Sequence, residues 1–524
     1  MKLFCKNFIV AFVLLCFFHS ELKAQNTFLE QNFKNPPASA KPRTMWFWIN
    51  GNVTKEGITA DLEAMKKVGI QGALIFNVNL GNPKGFADYL SNAWLDLFHF
   101  AALEAKRLDL ELSFHNGAGW SSSGGPSITP EYAMQELVFS ETVHTGDKVF
   151  KGKLTQPKTH LNYYKDIAIL AFPKPKSKKR IDELNTKILS HKVRNHLEPD
   201  DKVIADVAIV KKSELIDLTS KVTNNGFLEW NAPVGEWVIL RIGHTPTGEK
   251  NRFPSDGGRG LECDKMNKEA VDVFWQGGIQ PIIKKLDTLI GTAVKRCHID
   301  SYEVGTTNWT PKFAEEFKKL RSYDCKQYLP SLAGYYVESG EETERFLWDF
   351  RRTIGDLIAK NYYEYFSELS HKNGLQFSTE PYWGPFDNMQ VGETADVVMS
   401  EFWSGSLAFF DSPKFVASIA KLNGNSIAEA ESFTGMGGWD QHPGLLKAMG
   451  DLAWAQGINR FVFHCYVHQP WNVGPGLTLQ VFGTDFNRLN TWWNQSKPFV
   501  DYISRGQFLL QQGSSVADIL VFTG

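Results

Sequence analysis

Two short segments put carboxylates where apolar runs end: HIDSYEVG at 298–305 holds Asp300 and Glu303, and AEAESFTG at 428–435 holds Glu429 and Glu431. Side chains alternate across a strand, so Glu429 and Glu431 share a face, while Glu303 falls in the loop opening beyond Asp300 and reaches over the strand ends. Neighbouring carboxylates raise one another's pKa, which suits a site that keeps one acid protonated near neutral pH. A proton donor facing a base or a nucleophile is the equipment of glycosidic bond cleavage. Carboxyl separations of about 5 to 5.5 Å imply retention and about 6.5 to 9.5 Å inversion, a choice that spacing along a chain leaves open. The structural alternative for such acids is helix capping or pairing with arginine.

Bringing distant acids together requires a fold whose strand ends converge. Eight apolar runs end on polar residues, at Asn50, at Asn77 and Asn79, at His115 and Asn116, at Asp300 and Glu303, at Glu380, at Glu401, at Glu429 and Glu431, and around His464. That succession is the plan of an α/β protein, a (β/α)8 TIM-type barrel, in which carboxyl-terminal strand ends carry the site. Helices fit between the runs: Thr54 caps one with apolar positions Ile58, Leu62, Met65 and Val68, and Gly69 stops it. The rhythm breaks from 141 to 264, where short strand-like runs around the Lys-rich KPKSKKR predict a β-rich insertion after the third strand. The expected partition is 1–24 signal peptide, 25–140 first part of the barrel, 141–264 insertion and 265–485 remainder of the barrel. Residues 486–524 then hold a helix and the start of a further domain. At the rim, His115, His464 and His468 read as partners of sugar hydroxyls, and Trp120, Trp383 and Trp403 as pocket lining, with ordinary core packing as the alternative for each.

Composition narrows the partners. Lys plus Arg number 56 against 58 Asp plus Glu, so the net charge of −2 offers no basic field for nucleic acid or an anionic membrane. An apolar stretch from Phe8 to Phe18 behind Lys2 and Lys6 reads as an export signal and is too short for a stable membrane span. Periplasmic or extracellular localisation follows, with Cys16 only a poor lipoprotein box. Cys263, Cys297, Cys325 and Cys465 form no Cys-x-x-Cys pair, so no zinc site is indicated, and one disulfide is left open.

The opening PRTMWFWINGNVTKEGITADLEAMKKVGIQGALIF, the HNGAGWSSSGGP loop, DSYEVG and EAESFTG, in that order, resemble glycoside hydrolase family 106, the α-L-rhamnosidases. The resemblance spans Pro42 to about Gly524 and implies an exported bacterial enzyme that removes terminal L-rhamnose from plant-type glycans with inversion. It matches Glu303 to the general acid and Glu431 to the general base, with Glu401 the rival for base or metal work. It also implies a calcium ion near the sugar. Hard oxygen donors for that ion are Glu401, Asp300, Glu380 and the Asn116 amide. Tyr302 beside Glu303, together with Asn116 and Glu380, completes the expected sugar contacts. Family members carry β-sandwich domains after the barrel, and this chain stops where those begin. Two other classes stand beside this reading: a metal-dependent hydrolase, weakened because the first strand ends on Asn50 without His-x-His, and a non-catalytic carbohydrate-binding barrel.

Overall fold

Strands buried on both faces run apolar rather than alternating, and the eight runs do form such strands. A computed structural model describes residues 28–121, 123–190, 203–223, 225–405, 412–513, 516–519 and 521. In β1 (Arg43–Ile49), Met45, Phe47 and Ile49 turn into the barrel, while Trp46 and Trp48 pack outward with Ile58 and Leu62. The helix α1 (Lys55–Val68) starts where the Thr54 side chain accepts the Gly57 N–H and stops at Gly69, whose φ of 102° favours glycine. The remaining strands are β2 (Gly72–Val78), β3 (Glu111–Ala118), β4 (Val294–Ile299) and β5 (Gln376–Thr379), then β6 (Val397–Trp403), β7 (Glu429–Thr434) and β8 (Arg460–Val467). All pair in parallel, and β8 pairs with β1 to close the cylinder. The expected (β/α)8 barrel is therefore present.

Between β3 and β4 the chain builds a β-rich insertion, whose first strand begins at Gln135, before the expected start at 141. Its main sheet is antiparallel, with Glu236–Pro246 between Gln135–Thr145 and Lys165–Pro173, and Leu228, Trp230, Trp237 and Ile239 give it a core of its own. The chain then returns along the rim. Asn50 and Asn79 both donate to Asp256 of this return segment, at 3.2 and 2.9 Å, and Asn77 accepts from Trp94 at 2.7 Å. The first two polar strand ends thus anchor the insertion to the barrel.

The long helix before β5 runs from Gly340 to Lys372 through a π-helical stretch at Ala359–Glu364, with Gly374 at φ 77° behind it. A last helix, Lys497–Leu510, packs against the barrel. All four of Cys263, Cys297, Cys325 and Cys465 are free and buried, so none is paired in a disulfide. The expected export signal at 1–24 lies outside the described residues, as do 514–515, 520 and 522–524 of the expected start of a further domain. Among the described residues no helix is long and apolar enough to cross a membrane.

Candidate active site

The barrel interior is chemically layered. At the amino-terminal end Arg296 Nη1 and Arg460 Nε donate to Glu429 at 2.7 and 2.5 Å, and Arg43 Nη2 donates to Glu111 at 2.5 Å. Burial alone would raise Glu429, but the Arg296 and Arg460 guanidiniums outweigh it and hold its carboxyl far below the ordinary range. The expected mutual elevation of Glu429 and Glu431 is therefore corrected. They share the inner face but not the layer: Glu429 belongs to an ion-paired floor and Glu431 to the mouth.

Imidazoles occupy the middle. His115 stacks on Phe76 with centroids 4.7 Å apart, and His464 meets Phe47 edge-on at 5.4 Å. His298, two residues before Asp300 and so on the same face of β4, contacts the Ser378 hydroxyl through Nδ1 at 3.0 Å. Burial lowers His115 to about 4 and His464 to about 3, and holds His298 well below its usual value, so all three are neutral near pH 7. They offer hydrogen bonds rather than charge.

The mouth gathers carboxyls from four consecutive strands. Asp300 and Glu303 follow β4, Glu380 follows β5, Glu401 lies on β6 and Glu431 on β7, the last two in direct register. Ser301 donates to Glu303 Oε1 at 3.1 Å, and Thr434 donates to Glu431 Oε1 at 2.5 Å. The Trp403 indole donates to Glu401, the Tyr382 hydroxyl donates to Glu380, and His464 Nε2 lies 3.9 Å from Glu431. Burial, then the Glu303 charge, pushes Asp300 up to about 7, and burial with Asp300 and Glu303 pushes Glu401 up to about 8. Glu380 and Glu431 are held well above the usual carboxylate range by burial and by the other acids. Among the described residues, no cation is among the chief groups that shift these four carboxyls.

Such a site favours a positive guest. One donor atom from each of His298, Asp300 and Glu380 lies within 4.8 Å of the others, and Glu380 Oε1 is buried without a hydrogen-bond partner among the described residues. The carboxylate oxygens fit a hard divalent cation such as calcium, whereas His298 would suit a softer metal.

The expected site residues separate into three groups. Asp300, Glu303, Glu380, Glu401, Glu431, His115, His464 and Trp403 converge on the interior and mouth. Trp120 packs on Phe253 at 4.6 Å and Phe482 at 5.7 Å as an apolar part of the rim, and Trp383 is 41% exposed against Tyr382. Asn116, Tyr302 and His468 do not face the site. Asn116 donates to Tyr362 at 3.1 Å in the helix layer, because on β3 it lies opposite to inward-facing His115; this removes it as a calcium donor or sugar contact. Tyr302 is 1% exposed and packs edge-on against Phe386 beneath the loop. His468 packs on Trp46 and Trp48 outside the barrel, with Nδ1 2.8 Å from Asp61. His298 and Tyr382 went unnoticed in the sequence, although each lies two residues from a named acid, the parity that places side chains on one face.

The acid cluster gives the cation-free protein a distinctive pH response. Asp300 and Glu401 start from ordinary values of 3.8 and 4.5 and rise to about 7 and 8 in the fold. Between those limits the unfolded chain releases protons that the folded state retains, so stability is greatest below about pH 4 for these groups and falls as pH rises to about 8. In a chelator, the unfolding midpoint is expected to drop across this window, and Glu401→Gln to flatten the slope. A midpoint that rises from pH 5 to 8 in both proteins contradicts this assignment.

A closed parallel barrel whose carboxyl-terminal mouth gathers paired acids has the architecture of a barrel glycoside hydrolase. The chain belongs to glycoside hydrolase family 106, alpha-L-rhamnosidase, whose family model matches residues 34–524. It is similar to a solved rhamnosidase from Novosphingobium sp. PP1Y, with 30% identity and a TM-score of 0.86 over 94% of this chain and 61% of that one. It is also 66% identical over 507 residues to a Formosa agariphila protein named "Putative beta-glucuronidase", covering 97% of this chain. The chain spans 44% of the length of that curated relative.

Proposed function

We propose that this chain is the catalytic barrel of an exported, inverting α-L-rhamnosidase acting on rhamnose-containing glycans or glycosides. The observation that carries the proposal is the convergence of Asp300, Glu303, Glu380, Glu401 and Glu431 at one barrel end, in a chain of this family. Glu303 donates its proton to the leaving oxygen as the glycosidic C–O bond breaks. Glu431, which must be in its ionised form although burial and the neighbouring acids favour its protonation, takes a proton from the water that attacks the anomeric carbon from the opposite face. Thr434 orients Glu431, and Trp120, Trp383 and Trp403 supply faces for the sugar and its leaving group.

Calcium fits this reading, with Asp300, Glu380 and Glu401 as the oxygen donors. When bound, it would supply positive charge that favours ionised carboxylates and would orient sugar hydroxyls. The name of the Formosa relative implies a different sugar, glucuronate, whose carboxylate bears on the choice between the two. Arg43, Arg296 and Arg460 are at the far end, with acidic partners in Glu111 and Glu429, so a uronate carboxylate at the mouth would have to compete with the acids there for the bound cation. Hydrolysis of an aryl α-L-rhamnoside, first releasing the inverted anomer by NMR and falling on chelation until calcium is restored, is the expected outcome. An aryl β-D-glucuronide is expected to be inert. Turnover of the glucuronide alone would overturn the assignment, and a rate indifferent to chelator would remove calcium from it.

A further inference from the structure

Glu262 and Lys265, three residues apart on the segment that returns from the insertion, form an ion pair at 2.7 Å with both side chains wholly buried. An isolated ion pair in this position is a weak source of stability, because desolvation offsets most of the attraction. What distinguishes this pair is where its remaining contacts go. Glu262 Oε1 accepts from the Ser121 hydroxyl at 3.0 Å and Oε2 from the Ser123 backbone N–H at 3.1 Å, holding the Gly-rich loop that carries Trp120. Lys265 Nζ lies 5.7 Å from the Tyr302 ring centroid and 5.6 Å from that of Tyr362, in the range of cation–π attraction. Tyr302 immediately precedes Glu303. Its ring is gripped between Lys265 and Phe386, and its N–H donates to the Tyr382 carbonyl at 3.2 Å.

We infer that the buried Glu262–Lys265 pair is a positioning device: through Tyr302 it fixes the direction of Glu303, and through Ser121 and Ser123 it fixes the rim loop that bears Trp120. Neither residue touches the sugar. The physical reason is leverage, since a proton donor displaced by 1 Å can lose about 10²-fold in rate, and the segment after β4 has no strand pairing of its own to hold Glu303 in place. This inference rests on Glu303 being the proton donor.

The test uses the full chain and two α-L-rhamnosides, one with an alkyl leaving group that needs protonation and one with a dinitrophenyl leaving group that does not. Glu262→Leu with Lys265→Met replaces both charges by apolar groups and so avoids a stranded buried ion. The double variant leaves the Ser121 hydroxyl and the Ser123 N–H without their acceptor, so it is expected to unfold below the wild-type midpoint yet stay folded in the assay, to lose about 10²-fold in kcat on the alkyl substrate and to lose under about threefold on the dinitrophenyl one. Tyr302→Leu removes the ring without touching the ion pair and is expected to give the same split. Equal losses on both substrates, or wild-type kcat on both, in either variant would overturn the inference. Glu303→Gln assayed beside them isolates the premise. If Glu303→Gln itself lacks the leaving-group split, the functional assignment fails; if it has the split and the positioning variants do not, only the positioning role fails.

Discussion

Glu303→Gln and Glu431→Gln are each expected to lower kcat on an alkyl α-L-rhamnoside by about 10²- to 10⁴-fold, the scale of a lost general acid or base, while the fold persists. Gln keeps the shape of Glu and can still accept from Ser301 or Thr434, so the local hydrogen bonds survive the change. Removing one ionisable group from a crowd of like charges also relieves repulsion, so neither variant should unfold earlier than the parent. The two losses should differ in kind. A leaving group that departs without a proton rescues Glu303→Gln but not Glu431→Gln, because the attacking water still needs a base. Glu401→Gln separates the rival assignment: a role in holding calcium makes its deficit depend on calcium concentration, whereas a role as base does not. Near-normal turnover in both Glu303→Gln and Glu431→Gln would end the assignment of the acid pair.

Glu429→Ala is expected to cost about 3–5 kcal/mol of stability, the penalty for removing one member of a buried ion pair. The floor holds Arg43, Arg296 and Arg460 against Glu111 and Glu429, and losing Glu429 leaves Arg296 and Arg460 buried without their acceptor. Glu429→Gln retains an acceptor oxygen and should cost less. The pH signature runs opposite to that of the mouth. The folded pKa of Glu429 is depressed, so its contribution is present above the ordinary carboxylate range, flat from about pH 5 to 8, and lost only as pH falls well below it. Urea unfolding of both variants at pH 7 checks this, and a cost under about 1 kcal/mol for Glu429→Ala would mean that the arginines find other partners.

Polar stops on apolar runs sufficed to place Asp300 and Glu380 just beyond their strands, since a doubly buried strand is apolar until it leaves the core, whereas Glu401 and Glu431 lie within theirs and Glu429 begins its strand instead of ending it. Parity carried the reading further where the strand is regular: Glu429 and Glu431 do share the inner face. It failed in β8. His464 and Cys465 both turn inward, and pairing with β1 shifts register between Thr44 and Trp46, so residues beyond 465 fall on the side opposite to simple alternation. His468 consequently lies under α1 with Asp61 rather than at the mouth.

The sequence by itself determined the barrel, the insertion after the third strand and which strands carry the acids, because hydrophobic burial and strand periodicity are local properties that the order of residues records directly. Tertiary structure alone decided what each acid is. Glu429 and Glu431 are two residues apart on one face, yet the first meets Arg296 from β4 and Arg460 from β8 and stays ionised, while the second meets Glu401 and Asp300 and is pushed towards protonation. A pKa follows from the charges that long-range folding brings within a few ångströms, and no pattern along the chain encodes that company.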